Sequence, residues 1–455
     1  MRALTAPDVA PGELADGYLI QRGHHAGLPH DAAARRAASA RAAVHLAHRL
    51  RDQNPGYVRL WREQPGTGPG PDAIPVLHKD FLAEHFDEFA AGLPVTADAA
   101  AAFAAAPFTP GSLFDAQHLV FTSSGSTGGP LPVVYTLEDF GRTLAALLDR
   151  AVFPDRPGAK SLLYIGLMDR HNGGNAWMYH LGGTLRTHLA DVFAPTEELL
   201  DLVLELHPDV ILTRPHLLLA LGESAAARGT APPPAHLLSV GEALQPEQRA
   251  GIVHRWGTAP HNSYSTVETG PLGYQDDVDR EELAVYDELH HVELLDADNR
   301  PITAPGVPGR VVVTTLYRRT LPLVRYRIGD VAAWTDERMT RITFPLGRDT
   351  RTLHLHTATG SATMPELGLW SLRVEGLRQY QVVQSAANTL VVRCEPSGTV
   401  PWPDLAARVR AATDALVHAA TGLSVRIECE PVAALVPDRA SGKVKRVVPY
   451  QAGSF

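Results

Sequence analysis

The chain has 455 residues, more than one ordinary core accommodates, and its 45% hydrophobic and 20% charged residues are those of a soluble globular protein of two domains. A net charge of −9 without any block of Lys or Arg excludes a general attraction to nucleic acid or anionic lipid. Its two cysteines, Cys394 and Cys429, exclude a disulfide framework and a CxxC zinc clamp, and they suit a reducing cytoplasm.

Met1–Gly17 shows no basic region followed by an apolar core, so no signal peptide is expected. No window approaches the roughly 20 apolar residues of a membrane span. Residues 31–51, rich in Ala and Arg with apolar residues at helical spacing, predict an amphipathic helix ended by Asn54-Pro55-Gly56. Residues 66–75 read as a Gly/Pro loop, and the alanine run 97–106 as a helix.

From there strands and helices alternate. His118–Phe121, Ser161–Gly166, Asp209–Leu212 and His236–Val240 read as buried strands, and Thr196–Leu206 as a helix. This rhythm predicts parallel βαβ units. After residue 280 the pattern changes to strands joined by turns, at 291–295 and 309–315, and a more antiparallel sheet is expected. The last hundred residues, with strands at 379–384, 390–395 and 424–430 and a helix at 404–420, predict a small α+β unit. The 21 histidines include the close sets His24-His25, His290-His291 and His354-x-His356, none with an acid or cysteine at zinc-site spacing. They read as scattered surface and packing residues.

The run Phe121-Thr122-Ser123-Ser124-Gly125-Ser126-Thr127-Gly128-Gly129-Pro130 follows a strand and has almost no side-chain bulk. Backbone N–H groups and short hydroxyls in such a run can close around an anion. Composition alone favours a Gly/Ser surface turn. A G-x-x-x-x-G-K-[ST] loop is excluded, since no Lys-Ser or Lys-Thr follows the glycines. Four further segments succeed it: Ser239-Val240-Gly241-Glu242, Asn262-Ser263-Tyr264-Ser265-Thr266-Val267-Glu268, Pro322-Leu323-Val324-Arg325-Tyr326-Arg327-Ile328-Gly329-Asp330, and Ser441-Gly442-Lys443.

In this order the five segments resemble the adenylate-forming superfamily of acyl-CoA synthetases and peptide-synthetase adenylation domains. Their spelling is most similar to the phenylacetate–CoA ligase branch, and the resemblance runs from about residue 40 to 450. It implies an α/β fold with a large multi-sheet N-terminal domain, 1–346, and a small α+β C-terminal cap, 347–455. The implied reaction is attack of a carboxylate, aromatic or heteroaromatic by resemblance, on the α-phosphorus of ATP with Mg²⁺. The acyl-adenylate then passes to CoA, a carrier protein or an amine. A nucleotide-binding protein without ligase activity is the reading from another class, and a homodimer is left open.

By the same resemblance Ser123, Ser124, Gly125, Ser126, Thr127 and Gly128 wrap the phosphates, and Glu268 holds the metal. Gly241, Glu242, Asn262 and Tyr264 line the adenine. Asp330 accepts the ribose hydroxyls, and Arg348 belongs to the Gly-Arg hinge motif. Lys443 reaches the carboxylate and α-phosphate as a mobile ammonium. Trp177, Tyr179 and His180 fall where the acyl site begins, and they serve equally as core packing. Three positions depart from the pattern: Gly129 replaces a frequent lysine, Ser265 a glycine, and Val267 a hydroxyl residue that would meet the α-phosphate, with Thr266 as the adjacent substitute.

Overall fold

The alternating strands and helices close into one sheet. In the computed structural model, Arg186–Asp191, Ser161–Gly166, Val210–Thr213, His236–Val240 and His261–Thr266 lie side by side in that order, all parallel. Residues 4–6, 12–64, 74–107, 109–122, 131–153, 158–168, 173–348, 352–358, 360–370, 372–439 and 441–450 are described. Val210–Thr213 is buried throughout, as a continuous apolar run in a parallel sheet requires. Helices Gly173–His180, Thr196–Leu206, Pro215–Ala227 and Pro246–Trp256 lie between these strands in the chain. Leu4–Thr5 adds antiparallel to one edge, and Gly270–Tyr274, Glu282–Val285 and Arg341–Thr343 extend the other, also antiparallel.

The change of pattern after residue 280 is real. His290–Leu295 and Pro308–Thr315 pair antiparallel from His290 opposite Thr315 to Leu295 opposite Arg310, and Tyr326–Ala333 follows in the same sheet. The chain divides into two compact units. One holds 1–241, 252–328 and 332–344; the other holds 242–251, 329–331 and 345–455.

Asn54-Pro55-Gly56 ends the helix Ala32–Gln53 and also starts a second one, Pro55–Glu63. The Asn54 N–H donates to Leu50 O at 2.9 Å, while its side chain accepts from Tyr57 N at 3.2 Å. Proline at the first helical position costs nothing there, so one residue caps both helices. The sequence reading also missed the helix Gly12–Ala26, which packs on Leu137–Leu147.

In the second unit, strands Arg426–Pro431, Thr389–Pro396, Leu377–Ala386 and Val447–Val448 form a sheet in that order, accompanied by helix Trp402–Thr421. Its core includes Leu353, Leu377, Val382, Leu390, Leu405 and Val409. Residues 352–357 form a hairpin with Gly360–Pro365. Leu353 and Leu355 point inward while His354 and His356 are exposed, a period-two pattern short enough to pass unnoticed.

The Gly12–Ala26 and Leu137–Leu147 helices approach closely because each has a glycine at the crossing. A Cβ on Gly17 would lie 2.0 Å from Glu138 O, and one on Gly141 would lie 2.1 Å from Leu14 O. Backbone atoms on both sides cannot yield locally. Gly141→Ala is expected to destabilise the protein by about 1–3 kcal/mol. The measurement is a urea titration, which should show a lower midpoint at unchanged slope.

Candidate active site

Three of the segments singled out in the sequence follow carboxyl ends of the parallel strands. Helix Gly173–His180 comes after Ser161–Gly166, Gly241-Glu242 after His236–Val240, and Val267-Glu268 after His261–Thr266. Ligands of open α/β sheets bind outside that edge. The phosphate-loop residues Ser123, Ser124, Gly125, Ser126, Thr127 and Gly128, with Gly129, lie outside the described residues. Their flanks are described: His118–Thr122 and Pro132–Thr136 pair antiparallel with Thr122 opposite Pro132, which brings the two ends of that segment together.

Glu268 sits half-buried in the turn joining His261–Thr266 to Gly270–Tyr274. The turn is fastened from inside. Thr266 Oγ1 accepts from Thr269 N at 3.2 Å and lies 2.9 Å from Thr269 Oγ1. From below, Arg318 Nη1 donates to Glu268 O at 2.7 Å, and Tyr317 OH donates to Thr269 O at 3.1 Å. Gly270, at φ +79°, closes the turn; a Cβ there would stand 3.2 Å from Tyr317 OH. Val267 packs on the hydrophobic core and lies against the first residue of the Gly173–His180 helix. The Thr266 hydroxyl is engaged within the turn by Thr269.

Tyr264 is 5% exposed and joins a cluster with Leu272, Leu283 and Trp334, its ring 6.1 Å from that of Phe344. A register shift between Tyr264 and Ser265 bulges the strand pair beside the turn, a device that re-aims side chains near active sites. Asn262 N donates to Gln275 Oε1 at 3.0 Å, while its own Oδ1 is buried without a hydrogen-bond partner among the described residues. Ser239, opposite Asn262 in the strand register, likewise buries its Oγ without such a partner. Two orphaned polar atoms on neighbouring strands are a reason to expect a polar ligand atom or water there.

On the Gly173–His180 helix, Trp177 and His180 are buried and share Phe140, at ring distances of 6.1 and 6.0 Å. Trp177 Nε1 and His180 Nε2 have no hydrogen-bond partner among the described residues. Burial pushes the His180 imidazole down to about 4, so it is neutral near pH 7. Tyr179 lies over Gly111, where a Cβ would stand 2.2 Å from its ring.

The second unit holds the remaining candidates. Gly241, at φ +82°, precedes this unit, and Glu242 opens its first segment. Asp330 pairs with Arg348, Nε to Oδ1 at 3.0 Å, and the two residues face each other in the strand register. Glu242 Oε1 accepts from Val444 N at 3.0 Å, so it fastens the backbone next to Lys443. Asp438 closes the loop that carries Lys443. Its N–H donates to Lys443 O at 2.8 Å, and its Oδ1 accepts from Ser441 N and Oγ. Lys445 Nζ stands 2.7 Å from the other carboxylate oxygen. Burial works to raise the Asp438 pKa, but these donors outweigh it and hold the carboxyl below its usual value. Gly442, at φ +61°, permits the tight loop, and Lys443 is exposed beside it. Tyr317, Arg318 and Asp438 carried no readable signal: each is an ordinary residue in sequence, and only its partners give it a role.

Among the described residues, no group of three or more His, Cys, Asp or Glu is placed to hold a metal ion. Glu268 is a single hard oxygen donor, which fits Mg²⁺ that keeps water and substrate phosphates as its other ligands. Nor, among the described residues, is any helix long and apolar enough to cross a membrane.

No family model matches the chain. A stretch of 242 residues is 27% identical to a phenylacetate-coenzyme A ligase of Aromatoleum evansii, covering 51% of this chain and 52% of that enzyme. A stretch of 291 residues is 27% identical to a phenylacetate-coenzyme A ligase of Thermus thermophilus, covering 60% of this chain and 63% of that enzyme. The matches thus span from about half to just under two thirds of these curated relatives. Among solved structures, a crystal structure of 2-hydroxyisobutyryl-CoA ligase in the postadenylation state, in complex with 2-HIB-AMP, matches with a TM-score of 0.63. Identity is 19%, over 90% of this chain and 88% of that chain. The fold is that of the adenylate-forming enzymes, and the sequence likeness is to phenylacetate–CoA ligases.

The Asp438 carboxylate predicts the behaviour of the Lys443 loop. Asp438→Asn removes the charge that Lys445 and Ser441 share, and local opening should become about tenfold more frequent, by the worth of a charged hydrogen bond. Limited trypsin digestion checks this: cleavage after Lys443 or Lys445 should accelerate accordingly while the melting temperature stays nearly constant.

Proposed function

We propose that the chain is an adenylate-forming ligase that joins a carboxylic acid to AMP and then transfers the acyl group to a thiol such as CoA. In the first step a carboxylate oxygen attacks the α-phosphorus of ATP, the bond to the bridging oxygen breaks, and pyrophosphate leaves. Two anions must approach each other, so the protein has to supply positive charge and aligned donors. Mg²⁺, when bound, neutralises the phosphates, and Glu268 is the residue that would hold it. The Ser123–Gly128 segment wraps the β- and γ-phosphates, Tyr264 packs on the adenine with Gly241-Glu242 along its other face and Asn262 lining it, and Asp330 takes the ribose hydroxyls. Lys443 contacts the carboxylate and α-phosphate. The cap is read as 347–455, with Arg348 at its hinge; its rotation would withdraw Lys443 and admit the acceptor.

The observation that carries this reading is the placement of the Asn262–Glu268 segment. It occupies the last parallel strand and the turn at its carboxyl end, with buried orphan polar atoms beside it. The fold likeness over 90% of the chain supports it. An aromatic or heteroaromatic acid is favoured by the likeness to phenylacetate–CoA ligases, and Trp177, Tyr179 and His180 are aromatic side chains on the helix read as the acyl site. The acceptor has no motif of its own; incubating the adenylate with CoA, a carrier protein or amines separates them. The engaged Thr266 hydroxyl and apolar Val267 favour a second reading, nucleotide binding without ligation. A cytoplasmic location is proposed from the two unpaired cysteines, and the assembly state is a question for sedimentation.

ATP–pyrophosphate exchange against a panel of aromatic and heteroaromatic acids decides between the readings. Exchange with one acid should fall by about 10²-fold or more in Lys443→Ala, the usual loss when a transition-state charge contact is removed. ATP affinity should be unchanged in the same variant. ATP binding without exchange for any acid would leave the second reading.

A further inference from the structure

The turn that presents Glu268 rests on a buried cation. Arg318 is 2% exposed, and its hydrogen bonds among the described residues all go to carbonyl oxygens. Nε donates to Thr320 O at 3.2 Å, Nη1 to Glu268 O at 2.7 Å and Nη2 to Val134 O at 2.6 Å. The guanidinium lies 4.2 Å from the centre of the Tyr135 ring. Taking a cation out of water is costly, and here carbonyl dipoles and an aromatic face offset that cost. Two neutral groups could tie two loops together more cheaply. A guanidinium differs in being a rigid planar fork, so its two Nη atoms fix the spacing of whatever they hold.

What it holds is informative. Val134 lies in the strand that follows the Ser123–Gly128 segment, and Glu268 lies in the turn after the last parallel strand. Neighbouring side chains complete the grip. Tyr135 OH is 3.4 Å from Val267 O and 3.5 Å from Glu268 O, and Tyr317 OH donates to Thr269 O. All three carbonyls of the turn are therefore reached from one side. Asp139 secures Arg318 in turn, accepting from the N–H groups of Arg319 and Thr320 at 3.0 to 3.2 Å.

We propose that Arg318 is a positioning residue for the metal: by gripping Glu268 O and Val134 O together, it fixes the Glu268 carboxylate against the strand that leaves the phosphate segment. The proposal rests on the reading of Glu268 as a Mg²⁺ ligand. It assigns no contact between Arg318 and the nucleotide.

The test uses the full-length protein with ATP and Mn²⁺ as the probe, bound metal being read by electron paramagnetic resonance. ATP affinity is measured separately in EDTA. Arg318→Lys keeps the charge but loses the fork. It should weaken Mn²⁺ binding to the ATP complex by about tenfold or more, the usual cost of losing a group that orients a metal ligand. Metal-free ATP affinity should stay within about twofold, a split that general loosening of the fold would not produce. Tyr317→Phe removes one grip on the turn and should shift Mn²⁺ affinity in the same direction by less; it carries the test should Arg318→Lys fail to fold. Native Mn²⁺ affinity in both variants, with affinity lost in Glu268→Gln, overturns the proposal. So does an equal loss of metal and metal-free ATP binding. Native Mn²⁺ affinity in Glu268→Gln would instead remove the reading on which the proposal rests.

Discussion

Backbone hydrogen bonding among five parallel strands is the constraint from which the site follows. Parallel strands cannot be joined by short turns, so each must return through a crossover, and every strand then ends at the same edge. The inner strands Ser161–Gly166 and Val210–Thr213 are apolar and buried, whereas the last parallel strand, His261–Thr266, is polar and partly buried. Polar and charged residues are displaced into the segments just past the carboxyl ends, and there Gly241-Glu242 and Val267-Glu268 occur.

A turn at such an edge is exposed to water and has few backbone bonds of its own. Here side chains from sequence-distant places supply them. Arg318 and Tyr317 come from the loop after one strand of the second sheet, and Tyr135 from the strand pair that flanks the phosphate segment. The cost of burying a guanidinium is met by three carbonyls and one ring face, groups that carry no charge, and the turn gains rigidity. Val267 serves the same end by packing inward against the core.

The Lys443 loop is held in a different way, by carboxylates on either side of it. Asp438 takes the two donors of Ser441 and the charge of Lys445, and Glu242 takes Val444 N–H. The neighbours on both sides of Lys443 are fastened, and its own side chain is left at the surface.

Much of this was legible in the sequence because local patterns have local causes. Apolar runs of four to six residues became buried strands and the alanine-rich stretches became helices, while the motif order singled out Gly241, Asn262, Glu268, Asp330 and Lys443 as expectations. Where the reading fell short, one residue or short segment had two meanings. Asn54 both ends and starts a helix, and the two-residue alternation at 353–356 was too short to read. The sequence by itself determined which residue types stand in the Asn262–Glu268 and Ser441–Lys443 segments, since residue identity and order survive without a fold. Only the tertiary structure decided that Arg318, Tyr135, Tyr317 and Asp438 support those segments. Their roles come from hydrogen bonds to carbonyls and side chains whose geometry the folded chain alone creates, and for Arg318 the acceptors lie 50 and 184 residues away.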